Sequence, residues 1–573
     1  MSIQPSRCFK AIGLLLSLCS TLALAQAPAP RYVDVTLKVD YADLKVGDQP
    51  VHLRTYNGQL MGPTLRVRPG DVLRVKLINA IDERKDPEPA PCMPVKPGEA
   101  HSPCGFNRTN LHTHGLHVSP SGNSDNVLLD LGPGDSFDYE YVIPQDHPAG
   151  TFWYHAHRHG STAIQLASGM AGALIVEGKE DHAIPALRPE QEELLLFQQI
   201  PYICKTDDFN PQSPDDWKCD PSSTSTKGRV ETFKVFGPGA WPTSGRITTI
   251  NGKVTPTLTM RPGEVRRWRL INAGIREGLH LALREGCGRK ERSTRELFFE
   301  PGANERFVAP KGLSISEIAR DGSLMHKRID SSTVQLYPGY RSDILVKADA
   351  TPKCYELVDL PTDPCDSLLP EEPEKQGKVL AYIEVKGAPK NMVLPTSEQL
   401  AKYAPPLLDK KPGSTSPQQV IFNIKDPGTP NIQFLVNDRT FTTKQKPRQL
   451  TLGAVEEWQL SSQFIHHPFH IHVNPFQVTE TLVNGEEFRY WKDTLLVKGP
   501  VPKDPGNPQG ELINCSKGPL RVLTEYRKYI GQFVLHCHIL DHEDQGMMEL
   551  VEIMPPGGHA HSSSPAISQD HVH

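Results

Sequence analysis

Apolar and polar residues alternate strictly at three places along the chain. GDVLRVKLINA begins at Gly70, GEVRRWRLINAG at Gly263 and GAVEEWQLSSQ at Gly453. Aligned on the glycine, Val75 matches Trp268 and Trp458, and Leu77 matches Leu270 and Leu460. Arg74, Arg267 and Glu457 stand between, as do Lys76, Arg269 and Gln459. Period two with one apolar side predicts a half-buried strand, polar side outward, on the face of a sandwich. The leading glycine recurs three times, and PTL and LINA twice, which marks one unit repeated rather than three unrelated strands. The predicted fold is all-β, with three β-sandwich domains in tandem at 27–180, 181–388 and 415–556. A Pro-, Lys- and Ser-rich linker covers 389–414, and a Pro- and Cys-containing loop from Asp82 to Asn110 interrupts the first domain.

Composition agrees. The 573 residues exceed one core, and 53 prolines and 44 glycines favour short strands and turns over long helices. A net charge of −5 gives no basic footprint for nucleic acid or anionic lipid. Arg7 and Lys10 precede an apolar run, Ala11 to Leu24, ending in Ala23-Leu24-Ala25. That is the form of a secretory signal peptide, residues 1–25, too short to span a membrane, and no later stretch approaches the needed length. Leu18 before Cys19 disfavours lipidation, and no Arg-Arg pair points to twin-arginine export. The expected location is the periplasm or the extracellular space, by the general secretory route. Eleven cysteines then become countable. Cys8 and Cys19 leave with the signal, and with Cys537 set aside an even set remains for up to four disulfides. Cys204–Cys219 and Cys354–Cys365 are expected as local staples; Cys92, Cys104, Cys287 and Cys515 cannot be paired from sequence. The tail, 557–573, holds four histidines in HAHSSSPAISQDHVH and reads as solvated and disordered.

The chemistry lies in HCHILDHEDQGMM, His536 to Met548. On an extended strand, residues two apart face one side and the residue between faces the other. His536 and His538 therefore point together and Cys537 points away, so one segment serves two sites. The same spacing recurs in His112/His114, His155/His157 and His470/His472. Two pairs come from the first domain, two from the third and none from the second, which places a multi-metal cluster at the interface of the terminal domains. On the other side of the strand, Cys537 can join His542, His467 and Met547. Two histidines, a thiolate and a thioether are the ligands of a blue-copper electron-transfer site, whereas zinc prefers four comparable ligands. The repeat puts Ala156 at the Cys537 position and Thr109 at the His467 position, so the first domain keeps the paired histidines and lacks the thiolate site. Met170, parallel to Met547, reads as core.

Four motifs in order, H-x-H-G at His112, H-x-H at His155, H-P-x-H-x-H at His467 and H-C-H-x-x-x-H-x-x-x-x-M at His536, resemble the multicopper oxidases. PGYRSDILV, Pro338 to Val346, is similar to that family's ligand-free middle domain. The resemblance implies three cupredoxin-like Greek-key sandwiches and four copper ions. His467, Cys537, His542 and axial Met547 would hold the type 1 copper, and His112 and His470 the type 2 copper. His114, His155 and His538 would hold one type 3 copper, and His157, His472 and His536 the other. Electrons from a donor would pass through Cys537 to its neighbours His536 and His538, and dioxygen would become two waters. Glu543 and Asp125 resemble the family's proton-supplying acids, although Asp125 also suits a cap of the turn SGNSDN. His117, His159 and His466 read as neighbours of ligands or surface residues, His280 and His326 as locally satisfied, and Phe152 and Trp153 as core. WKDTLLV from Trp491 reads as a strand in which Asp493 orients a neighbour or makes a turn. The expected activity is laccase-like oxidation of a phenolic small molecule by a monomer. The alternatives are a Cu(I) or Fe(II) oxidase and, outside enzymes, a copper-sequestering protein; ten methionines without a cluster weigh against the cuprous reading.

Overall fold

The computed structural model describes residues 30–557 apart from 94–101, 206–208, 212, 214, 221, 223–225, 238–239, 288–312, 369–377, 415, 483 and 505. The predicted signal peptide and the tail beyond Gly557 lie outside the described residues. The three alternating stretches form the strands Val72–Asn79, Val265–Asn272 and Val455–Ser462, eight residues each. Each begins two residues after its glycine, which sits at φ 92°, 71° or 83°, a left-handed turn that glycine adopts without steric cost. Each lies between a parallel partner (Tyr32–Val46, Glu192–Ile200, Gln418–Lys425) and an antiparallel one (Ser136–Val142, Arg341–Lys347, Leu520–Glu525). A two-residue turn with both residues at positive φ precedes each: Asn57-Gly58, Asn251-Gly252 and Asn437-Asp438.

In the first sandwich, the sheet ordered Gln49–Tyr56, Tyr32–Val46, Val72–Asn79, Ser136–Val142 shares a core with a second sheet. That second sheet runs Leu65–Val67, Ala171–Val176, Gly150–His155, His112–His114. The third sandwich repeats this second sheet as Arg448–Thr451, Met548–Met554, Gly531–Cys537, His467–Ile471, and adds Thr494–Val497 at its edge. Val75, Leu77, Trp268, Leu270, Trp458 and Leu460 are all buried, as the alternation predicts.

The polar side of the repeat departs from expectation in the middle domain. Arg74 and Lys76 are exposed, but Arg267 and Arg269 are buried. Arg267 pairs with Asp343 and Asp181 of its own domain, while Arg269 pairs with Glu192 of its own domain and reaches Thr151 of the first. A second correction concerns the disulfides. Cys204–Cys219 forms, but Cys354 joins Cys287 and Cys365 joins Cys515, with Cys92–Cys104 as the fourth. Strand Lys353–Asp359 pairs antiparallel with Leu279–Glu285, which brings Cys287 beside Cys354, and the strand carries the chain away before Cys365 is reached. Cys365–Cys515 thereby ties the middle domain to the third. WKDTLLV is not one strand: Glu487–Lys492 and Thr494–Val497 belong to different sheets, and Asp493 is where the chain crosses between them. Within 389–414, Ser397–Ala401 forms a short helix with a Thr396/Gln399 capping box.

A candidate multi-metal centre between the terminal domains

Antiparallel pairing sets the first-domain histidines against each other, His112 opposite His155, and the third-domain pair His470 opposite His536. The two sheets bring their histidines together. The rings of His112 and His472 stack at 3.8 Å between centroids, and so do those of His114 and His470. His157 Nε2 lies 3.2 Å and His472 Nε2 3.3 Å from His536 Nε2, so three nitrogens converge on one point. The His538 ring lies 5.0 Å from His114 and 6.0 Å from His155. All eight rings are buried.

On the far side of strand Gly531–Cys537, Cys537 Sγ lies 3.3 Å from His467 Nδ1 and 4.0 Å from His542 Nδ1. Met547 is buried in the same core, and its carbonyl accepts the Cys537 amide at 3.1 Å. Cys537 is the only free cysteine among the described residues.

These groups fit metal ions and little else. Burial, with the neighbouring rings adding, drives His112, His114, His155, His472, His536, His538 and His542 well below the ordinary imidazole value. Burial takes His157 to about 4 and His467 to about 3. Neutral rings offer lone pairs, yet His112 Nε2, His114 Nδ1, His155 Nε2, His470 Nε2 and both nitrogens of His538 have no hydrogen-bond partner. Buried polar atoms left unpaired are costly, and a bound cation satisfies them together. Burial also pushes the Cys537 thiol up, so its ionisation requires a bound cation.

The other ring nitrogens are held in place. His112 Nδ1 lies 2.9 Å from Asp125 Oδ2, while Asp125 Oδ1 accepts the Thr113 amide at 2.8 Å. Asp125 therefore contacts a candidate ligand rather than capping its turn. Burial pushes it up to about 7 against the pull of the two Thr113 donors. Glu543 approaches His536 Nδ1 at 3.0 Å and His157 Nδ1 at 3.5 Å, and accepts the Thr162 hydroxyl at 3.2 Å. Burial raises it, opposed by His157 and Thr162. His467 Nε2 lies 2.9 Å from the Phe464 carbonyl and His470 Nδ1 2.8 Å from that of Asp493. Such partners fix which nitrogen faces a metal. His117 and His466 are engaged by backbone groups, Val473 O and Gly499 N respectively. Met170 is buried in the first core, with Phe152 and Trp153. A cavity of about 680 Å³, lined by Leu129, His157, Phe441 and Val534, opens onto the His157 side.

Asp544 was invisible as a functional residue in the sequence. From the third domain it accepts the amides of Gly160, Thr162 and Ala163 at 2.7, 3.2 and 2.8 Å. It thereby caps the first-domain helix Thr162–Ala167, whose own N-cap, Ser161, makes no side-chain capping bond. No local pattern announces a cap supplied by another domain.

An all-β chain of cupredoxin-like sandwiches, with a nitrogen-rich centre beside a thiolate site, defines a class of oxidoreductase. Multicopper oxidase family models match residues 106–181 and 414–556, the two stretches that carry the histidines. The multicopper oxidase mco of Staphylococcus aureus is 22% identical over 505 residues, 87% of this chain and 83% of that one. A laccase of Bacillus stratosphericus is 23% identical over 545 residues, 92% of this chain and 96% of that one. In fold, a multicopper oxidase from Campylobacter jejuni described as a metallo-oxidase matches with a TM-score of 0.62 at 22% identity, over 91% of both chains. The chain thus carries multicopper oxidase domains in its first and third sandwiches, those of an oxidoreductase with oxygen as electron acceptor.

Proposed function

We propose that this chain is an exported, laccase-type oxidase that binds four copper ions and couples four one-electron oxidations of a phenolic donor to reduction of dioxygen to two waters. The observation that carries this reading is Cys537. Its sulfur faces His467 and His542, while its chain neighbour His536 stands at 3.2–3.3 Å from His157 and His472. Two centres thus share one strand, one residue apart. The copper assignment follows the motifs: His467, Cys537, His542 and Met547 for type 1; His112 and His470 for type 2; His114, His155 and His538, and His157, His472 and His536, for the type 3 pair. Copper at these positions supplies one-electron redox chemistry between a donor and oxygen. The protein's own part is to offer neutral imidazoles from both terminal domains at once, exclude water and hold carboxyl groups of Asp125 and Glu543 against the ligands as proton donors. Export is supported by the leader motif and by the pairing of eight cysteines into four disulfides, the pattern of an oxidising compartment.

A laccase that spans nearly the whole of this chain supports a phenolic donor. One feature favours a second reading, a Cu(I) or Fe(II) donor. His542 is only 3% exposed, and the buried carboxylate of Asp541 lies 4.0 Å from its Nε2, a setting suited to a small cation. Oxygen uptake by the copper-loaded protein separates them. A phenol should drive faster consumption than Cu(I) or Fe(II); much faster turnover of either ion replaces the donor, and no uptake with any of them leaves only copper storage. N-terminal sequencing of the mature protein should begin after Ala25.

A further inference from the structure

We infer that Arg341, from the middle domain that supplies no candidate ligand, is a positioning residue for the histidine centre, turning His114 and His470 inward through Asp493. This rests on the four-copper reading above. Arg341 is fully buried and spreads its guanidinium over all three domains. Nε donates to the Thr151 carbonyl at 3.3 Å, on the first-domain strand that ends in His155. Nη1 donates to Asp493 Oδ1 at 2.7 Å in the third domain and to Gly339 O at 3.0 Å in its own, and Nη2 donates to Asp493 Oδ2. A planar fork can make this set of bonds and an ammonium cannot.

Asp493 passes the constraint to two rings. Both of its carboxylate oxygens accept from the Arg341 fork, a bidentate pairing that holds the group as a carboxylate, which only accepts. His114 Nε2, 3.2 Å from Oδ1, must then donate, which leaves Nδ1 free. His470 Nδ1 donates to the Asp493 carbonyl at 2.8 Å, which leaves Nε2 free. The free atom of each ring is the one buried without a partner. Asp321 of the middle domain secures the same corner, its carboxylate accepting the amides of Arg341, Asp493 and Thr494. Two glycines record how tightly the device sits. A Cβ on Gly115, the residue after His114, would lie 2.4 Å from Arg341 Nη2 and 2.6 Å from Asp493 Oδ2. A Cβ on Gly339 would lie 2.9 Å from the His538 ring. The glycine of H-x-H-G thus makes room for the arginine of PGYR.

A plain interdomain cross-link would stabilise the whole chain without favouring one centre, and that separates the two roles. Wild type, Arg341→Lys and Arg341→Gln are loaded with copper as full chains. Each is measured for total copper, the visible thiolate-to-copper band, which reports Cys537, and the electron paramagnetic resonance signal of type 2 copper. Loss of a ligand's hydrogen-bond partner lowers metal affinity by about 10–100-fold. Arg341→Gln should keep the thiolate band and lose type 2 and type 3 copper in that proportion, with Arg341→Lys between it and wild type. Wild-type copper content with an unchanged type 2 signal in both variants overturns the inference. So does loss of the thiolate band in step with the rest, or failure of both variants to fold, each of which makes Arg341 a structural cross-link. A wild-type chain that binds no copper sinks the proposed function instead.

Discussion

In the first sandwich, strands His112–His114 and Gly150–His155 lead into a short helix, Thr162–Ala167, and then into Ala171–Val176. In the third, His467–Ile471 and Gly531–Cys537 lead into Leu540–Asp544 and then Met548–Met554. The backbones match bond for bond at the return. Met170 N donates to Gln165 O at 3.1 Å and Met547 N to His542 O at 3.0 Å. Gly169 and Gly546 both take positive φ, at 102° and 113°. Gln165 is therefore the counterpart of His542, beside the counterparts Thr109 of His467 and Ala156 of Cys537. Where the third domain aims two imidazoles at a thiol, the first has a Thr109 hydroxyl donating to Gln165 Oε1 at 2.8 Å beside a methyl group. The same pocket is closed by a satisfied neutral pair. Backbone geometry supplies two faces in both domains, and side chains at three positions decide whether the second face binds metal.

Removing the thiolate should have the largest effect. Cys537→Ser is expected to abolish the visible band, remove one copper per chain and bring donor-driven oxygen uptake to background, while Ala156→Ser leaves all three unchanged. Metal analysis and spectroscopy on the two variants check this; a band that survives in Cys537→Ser would refute the role of the strand's second face. Next comes the converse. Thr109→His, Ala156→Cys and Gln165→His together, with Met170 already in place, should raise copper by one ion per chain and add a second thiolate-to-copper band. A folded triple variant with neither would mean that residues beyond these positions build the site.

The carboxylate that joins the two halves should rank third. Asp544→Ala strips three first-domain amides of their acceptor and should cost about 2 kcal/mol of unfolding free energy, the upper end for a helix cap. The measurement is a denaturant midpoint on the copper-loaded chain. Because the cap crosses between domains, the type 1 band should hold while the His157 side of the centre loosens.

How much of this stands in the sequence depends on whether a residue's partner is local. The eight-residue strands after Gly70, Gly263 and Gly453 are legible because side-chain direction in a strand has period two, and the same rule puts Cys537 opposite His536. Four spaced histidine pairs are legible for the same reason. Arg267 and Arg269 read as exposed because their alternation is that of an outer face, and only distant partners bury them, Asp181 and Asp343 for Arg267, Glu192 and Thr151 for Arg269. Asp493 reads equally as a turn, since its partner Arg341 lies 152 positions away in a different domain. Cys354–Cys365 looked close along the chain, but an extended strand separates the two in space. Gln165 carries no motif, and only the hydrogen bond of Met170 to its carbonyl identifies it as the counterpart of a ligand.

The smallest effect concerns that neutral pair. Thr109→Val keeps the shape of the side chain and removes the hydroxyl, which leaves Gln165 Oε1 buried without its donor. The Gln165 amide keeps its bond to the Phe106 carbonyl at 3.0 Å, so the side chain cannot simply swing away to water. An unmade buried bond of this kind costs about 1–2 kcal/mol. Stability should fall by that amount, with copper content, the thiolate band and oxygen uptake all at wild-type values. His467→Val at the matching position should instead lose the band outright. A Thr109→Val chain as stable as wild type would mean that the pocket closes by packing alone, and that the first domain's second face is inert for want of space rather than for want of ligands.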